Sequence, residues 1–174
     1  MSKISKEQQD KDERKIFAEL HKNSNESIDT IAKHCGFSRQ KVWRLIKQLE
    51  KNKKIWGYSA IVGSEEQGLK KFILFFKRAH KEHAPKDTIE ITTTHMNPMK
   101  KDLGITVISS YYIHGEYDWV TIFTAENLIQ AKKFREALIM RFPDTQITQL
   151  SQILFTVREN CIENPNINEM KEFI

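Results

Sequence analysis

Arg39, Gln40, Trp43, Arg44 and Lys47 fall together on one side of a helical period. Between them they offer what a DNA groove recognises: cationic donors, a carboxamide that both donates and accepts, and a flat apolar ring. Val42, Leu45, Ile46 and Leu49, at i, i+3, i+4 and i+7, form the opposing apolar stripe, so one side of the segment packs and the other is free to read. Residues 39–54 hold seven Lys/Arg and one acid, Glu50, a balance suited to phosphates. A charge run alone is usually a solvated face; its place in the chain decides otherwise. The candidate DNA-binding set is Ser38, Arg39, Gln40, Lys41, Trp43, Arg44, Lys47, Lys53 and Lys54. Arg39 and Arg44 suit base edges or phosphates, while Lys47, Lys53 and Lys54 suit backbone phosphates and add affinity without sequence choice. Trp43 has two readings: it stacks on sugar or presses on a thymine methyl, or it packs against the first helix or a partner subunit.

These side chains need a helix held at its start and backed by others. Ser27 and Ser38 each sit where a hydroxyl caps a new helix, and Gly36 lies between them, able to turn the chain with a left-handed backbone. Residues 27–52 therefore read as a helix-turn-helix. A preceding helix opening at Asp10 brings Ile16, Phe17 and Leu20 to complete a three-helix core. Beyond it, residues 53–62 alternate loosely and are rich in aromatic and β-branched types, the position of a wing strand.

The chain has 174 residues, a net charge of +5 and 39% hydrophobic residues, enough for a small module and a second of about 100 residues. The basic excess is confined to the first third: residues 1–57 hold 14 Lys/Arg against 8 Asp/Glu, and the remainder 14 against 15. Expected boundaries are a DNA-binding domain at 1–62, a linker at 63–70 around Gly63 and Gly68, a second domain at 71–158 and a tail at 159–174. Cys35 and Cys161 lack partners at metal-ligand spacing, which points to a reducing compartment. With no apolar run near the ~20 residues that a bilayer needs, and a polar start, a cytoplasmic location without membrane contact is expected.

The second part reads β-α-β-β-α-β: strands at 72–77, 105–114, 117–124 and 147–157, a poorly determined helix at 85–103, and a firm one at 126–142 with Leu128, Ala131, Phe134, Leu138 and Phe142 on one side. The fold class is thus α+β, a winged helix-turn-helix followed by a ferredoxin-like βαββαβ domain. Helices cover one face of such a sheet, yet both faces read apolar: Phe72, Leu74 and Phe76 alternate with Ile73 and Phe75, and Val120 and Ile122 with Trp119 and Phe123. A second copy of the sheet is the expected cover, giving a homodimer or a higher assembly; cover by residues 160–174 is the alternative.

Over nearly its whole length the chain resembles the Lrp/AsnC, or feast/famine, regulators. The first part carries the resemblance in Ile31-Ala32, Gly36-Phe37-Ser38, Val42 with Ile46, and Leu49-Glu50. The exit segment adds Ile55, Gly57-Tyr58, Ala60 and Val62 ahead of Gly68, and the second part adds Gly115 and Asp118 three apart in a hairpin. The resemblance implies a transcription regulator that binds double-stranded DNA. It also implies a pocket at Gly115, Glu116, Tyr117 and Asp118 for a small effector such as an amino acid; a turn glycine and a backbone-capping aspartate account for the same residues without a ligand. Leu45 stands where the family often has arginine, leaving Arg44 as the nearest guanidinium.

Other chemistry has little foothold. No phosphate-binding glycine loop, nucleophile and base pair or spaced carboxylate pair is present, so no enzyme and no cofactor is expected. His80 and His83 lack a third metal ligand and read as a solvated loop. Two alternatives remain: an architectural protein that coats DNA through phosphates, and the siroheme decarboxylases, similar in layout but favouring arginines where Lys53, Lys54 and Trp56 stand here.

Overall fold

The computed structural model describes residues 5–79, 101–143 and 145–174, with the backbone alone at 145–148. It divides into two compact units: Met1–Ile61 with Val157–Glu172, and Val62–Thr156 with Phe173–Ile174. The residues expected as a separate tail, 159–174, are thereby shared between the two.

Three helices make up the core of the first unit: α1 (Lys6–Lys22), α2 (Ile28–Cys35) and α3 (Arg39–Lys51). Each starts at a serine whose hydroxyl accepts an otherwise orphaned amide: Ser5 from Gln8, Ser27 from Thr30 and Ser38 from Lys41. The first of these corrects the expected start at Asp10, because the Ser5 cap lets a polar turn of good helix formers precede it. Gly36 ends α2 at φ 69°, where its N–H reaches the carbonyls of Ala32 and Lys33, and the short turn sends the chain directly into α3. Ile16, Ile31, Val42 and Leu49 are fully enclosed, with Phe17, Leu20, Ile46 and Ile55 packed around them.

The expected wing strand at 53–62 does not form. Lys53 turns with φ 55°, Ile55 tucks into the helical core, and the chain from Trp56 runs irregularly with the indole 95% exposed. A strand needs a hydrogen-bonded neighbour, and none of the described residues supplies one here.

In the second unit β1 (Lys70–Arg78), β2 (Thr106–Tyr112), β3 (Trp119–Ala125) and β4 (Thr145–Ile153) form one antiparallel sheet in the order β2-β3-β1-β4, with α4 (Leu128–Arg141) against it. This is the ferredoxin-like arrangement expected, with elements one to four residues shorter or shifted at their ends. The expected helix at 85–103, and His80 and His83 with it, lie outside the described residues apart from its last three positions. Phe72 of β1 stands opposite Phe123 of β3, and their rings stack at 5.6 Å; Phe134 of α4 meets Phe123 edge-on at 4.8 Å. Ala131, Phe134 and Leu138 are buried under that face, whereas Leu128 is exposed. The opposite face carries Ile73, Phe75, Val120 and Ile122, all half-buried, with exposed Tyr111 beside them.

Candidate nucleic-acid interface

The burial of α3 follows its sequence period closely. Val42, Leu45 and Leu49 are buried, Ile46 half-buried, and Arg39, Gln40, Trp43, Arg44 and Lys47 all lie exposed on the other side. Along the first half of the helix runs an open hollow lined by Ile28, Ser38, Arg39, Gln40, Lys41, Trp43 and Arg44. The capping and the turn at Gly36 place the start of α3, where a reading helix meets base edges, at the surface.

Within this basic set the structure separates two kinds of cation. Lys41 reaches inward: its Nζ lies 2.6 Å from Asp12 Oδ2 of α1, a carboxyl only 5% exposed, and 3.9 Å from the centre of the Phe37 ring. Lys54, just after α3, pairs in the same way with buried Glu13 at 2.5 Å. Adjacent acids on α1 therefore clamp both ends of α3, and these two lysines serve the frame before they serve any ligand. Arg39 pairs with Asp29 at 2.9 Å and Lys47 with Glu50 at 2.8 Å, but both contacts are open to water. Such surface pairs contribute about 0–1 kcal/mol, so a phosphate can take either base at little cost.

The remaining members are unencumbered. The side chains of Gln40, Trp43, Arg44 and Lys53 make no hydrogen bond, ion pair or ring contact among the described residues. Trp43 is 54% exposed, so a broad part of its indole is open to water. The Ser38 hydroxyl accepts the Lys41 N–H as a cap and keeps its own proton to donate.

Further bonds brace the frame. Lys15 donates to the Cys35 carbonyl at the end of α2, and His34 of α2 meets Glu19 of α1 at 2.6 Å. Tyr58 donates to Glu50, fastening the exposed exit segment to α3; burial and that carboxylate both raise the phenol's pKa. None of these inter-element partners was legible in advance, since their sequence separations range from 8 to 20.

The two clamps give a prediction for acid. Burial pushes the Asp12 carboxyl up, but hydrogen bonds from Lys41 and Gln8 and the nearby lysine charges outweigh it; at Glu13 the Lys54 bond dominates, and both groups end below their ordinary values. A depressed carboxylate contributes stability that is present above its unfolded pKa and is lost as pH falls through the folded one. The urea midpoint of the helical unit should thus hold steady down to about pH 5 and fall below about pH 4, with Asp12→Asn/Glu13→Gln reducing the slope. An unchanged acid slope in that double variant would remove the clamps from the account.

The hairpin between β2 and β3 is built differently. Asp118 Oδ2 accepts the Arg78 N–H at 2.8 Å, its own N–H goes to the Phe76 carbonyl, and its carbonyl accepts from Ile113. Tyr117 lies over Phe75 at 5.1 Å and donates to Gln149. Gly115 and Glu116 are exposed at the tip, and Glu116 has no partner among the described residues. So Asp118 and Tyr117 are engaged by the sheet, and the tip alone is open. Among the described residues no group of acids, histidines and cysteines is placed to hold a metal ion, and no helix is long and apolar enough to cross a membrane.

Residues 9–55 match the family model for winged helix-turn-helix DNA-binding domains. The leucine response regulatory protein of Mycobacterium tuberculosis superposes with a TM-score of 0.65 at 17% identity, covering 86% of this chain and 94% of its own. A transcriptional regulator from Neisseria meningitidis, solved in complex with L-Met, gives 0.63 at 19% identity over 86% and 92%. An AsnC family transcriptional regulator from Agrobacterium tumefaciens gives 0.63 at 16% over 85% and 92%. No curated protein matches the sequence. The fold that the Lrp/AsnC resemblance implied is the fold observed.

Proposed function

We propose that this chain, a helix-turn-helix followed by the sheet domain of Lrp/AsnC-type regulators, is a sequence-selective regulator of transcription that lays α3 in the major groove of double-stranded DNA. The observation that carries the reading is the sorting of side chains on α3: its framework lysines are tied to buried acids, while Gln40, Trp43 and Arg44 stand free at the start of the helix. A protein that only coats DNA has no use for a carboxamide and an indole between its bases. The test is competition between a preferred duplex and random duplex over a range of salt. Selection of at least 10³-fold that survives rising salt supports a regulator; equal affinities throughout would leave an architectural binder.

The protein acts as a homodimer in this account, joined through the sheet face that carries Ile73, Phe75, Val120 and Ile122. Two copies then present two α3 helices to two half-sites, which one helix-turn-helix alone does weakly. Light scattering should give at least twice the 20.5 kDa chain mass at micromolar concentration, and Phe75→Lys should halve it. A monomer mass for the unsubstituted chain would refute the pairing.

A small amino acid as effector fits the same scheme. Its proposed seat is the Gly115–Glu116 tip, where backbone and the Glu116 carboxylate are open and Asp118 is held rigid behind them; the L-Met complex of the Neisseria regulator lends support.

A further inference from the structure

We infer that Gln40, Trp43 and Arg44 read consecutive base pairs, and that Trp43 selects thymine by packing its indole on the C5 methyl group. The inference rests on the DNA-binding reading and deepens it, from a helix in a groove to the bases it prefers. The three side chains are neighbours at i, i+3 and i+4 on the exposed side of α3. At 1.5 Å rise per residue they span about 6 Å, roughly two base steps of duplex.

Their chemistries differ in what they can recognise. A carboxamide matches the paired donor and acceptor of adenine, and a guanidinium the two acceptors of guanine. An indole offers one N–H and a broad apolar surface, and the thymine methyl is the only apolar group on a major-groove base edge. Trp43 is 54% exposed beside the half-buried Ile28, with no ring contact of its own among the described residues. Water is a poor neighbour for that surface, and a methyl group brought against it regains the lost apolar burial. Lys41 is tied to buried Asp12, and Arg39 and Lys47 hold surface pairs that a phosphate can take over, so the frame and the DNA backbone account for these bases and the read-out falls to the free side chains. The half-site should therefore hold a thymine within two steps of a guanine.

The test uses the whole chain and a preferred duplex recovered from a random pool, with each thymine of the half-site replaced singly by deoxyuridine, which lacks only the methyl. At one position the unsubstituted protein should lose about fourfold in affinity, the worth of one buried methyl group, while Trp43→Ala binds the two duplexes equally. Trp43→Ala is exposed enough to leave the helical unfolding transition unchanged, which circular dichroism checks. Three results would overturn the inference: no thymine sensitive to methyl loss, sensitivity unchanged in Trp43→Ala, or a Trp43→Ala protein whose mass falls while its methyl sensitivity persists, which would seat the indole against a partner subunit. A pool that yields no preferred duplex would instead overturn sequence selection itself.

Discussion

Arg44→Ala should weaken binding to the preferred duplex by roughly 1–3 kcal/mol, about 5- to 150-fold, and leave binding to random duplex nearly unchanged. The expectation comes from where the guanidinium stands. It lies exposed on the groove side of α3 with no acid to share it among the described residues, unlike Arg39 with Asp29 and Lys47 with Glu50. A free, forked donor meets guanine bidentately, and nothing in the protein replaces the two bonds once they are gone. Stability should not change, since no contact within the fold is lost. Fluorescence anisotropy with labelled preferred and scrambled duplexes reads both affinities. Equal losses on the two duplexes would assign Arg44 to a phosphate and move the reading function elsewhere on the helix.

Lys41→Ala should have the opposite profile, destabilising the helical unit by about 3 kcal/mol while leaving the sequence preference of any remaining folded protein intact. Removing the ammonium takes the ion-pair partner from the Asp12 carboxylate, which is 3% exposed as a residue and is left, among the described residues, with the Gln8 amide at 2.9 Å and the charge of Lys15 nearby. It also strips the nearer of two cations from the Phe37 ring, leaving Lys15 at 5.2 Å. A buried acid left alone is the costly part, so Asp12→Leu/Lys41→Met, which removes both charges and keeps the volume, should recover most of the loss. Urea unfolding followed by circular dichroism measures each variant. A Lys41→Ala protein as stable as the parent but weak on all DNA would return Lys41 to the DNA-binding set as a phosphate contact.

These two residues show what the sequence disclosed and what it withheld. The stripe of Val42, Leu45, Ile46 and Leu49, the serine caps and Gly36 are local signals, each set by neighbours within a turn, and the structure follows them. The fate of Lys41 and Arg44 is not local. Both are bases directly before a buried residue, Val42 and Leu45, and only the position of α1, with Asp12 and Glu13 facing α3, tells them apart. Sequence separations of 29 and 41 carry no periodic mark. The missing wing strand fails for a related reason: residues 53–62 have strand composition, but a strand exists only with a partner, and composition cannot name one. At Asp118 the capping role was readable as one of two alternatives, and its bond to the Arg78 amide realises it.

The two-domain plan also explains why a basic first third is joined to a nearly neutral remainder. In the proposed function phosphate contact falls to the helices, and pairing of copies falls to a sheet whose second face is apolar and half-buried. Charge on that face would oppose association, and apolar surface on α3 beyond Trp43 would compete with the groove.

If paired copies read a defined sequence through α3, selection of bound duplexes from a random pool by the full chain will show it. The expected result is enrichment of a palindrome whose half-sites are centred one helical turn, or a multiple of it, apart, each with guanine and thymine within two steps. Recovery of an unenriched pool at every salt concentration, or of a single half-site without symmetry, would contradict it.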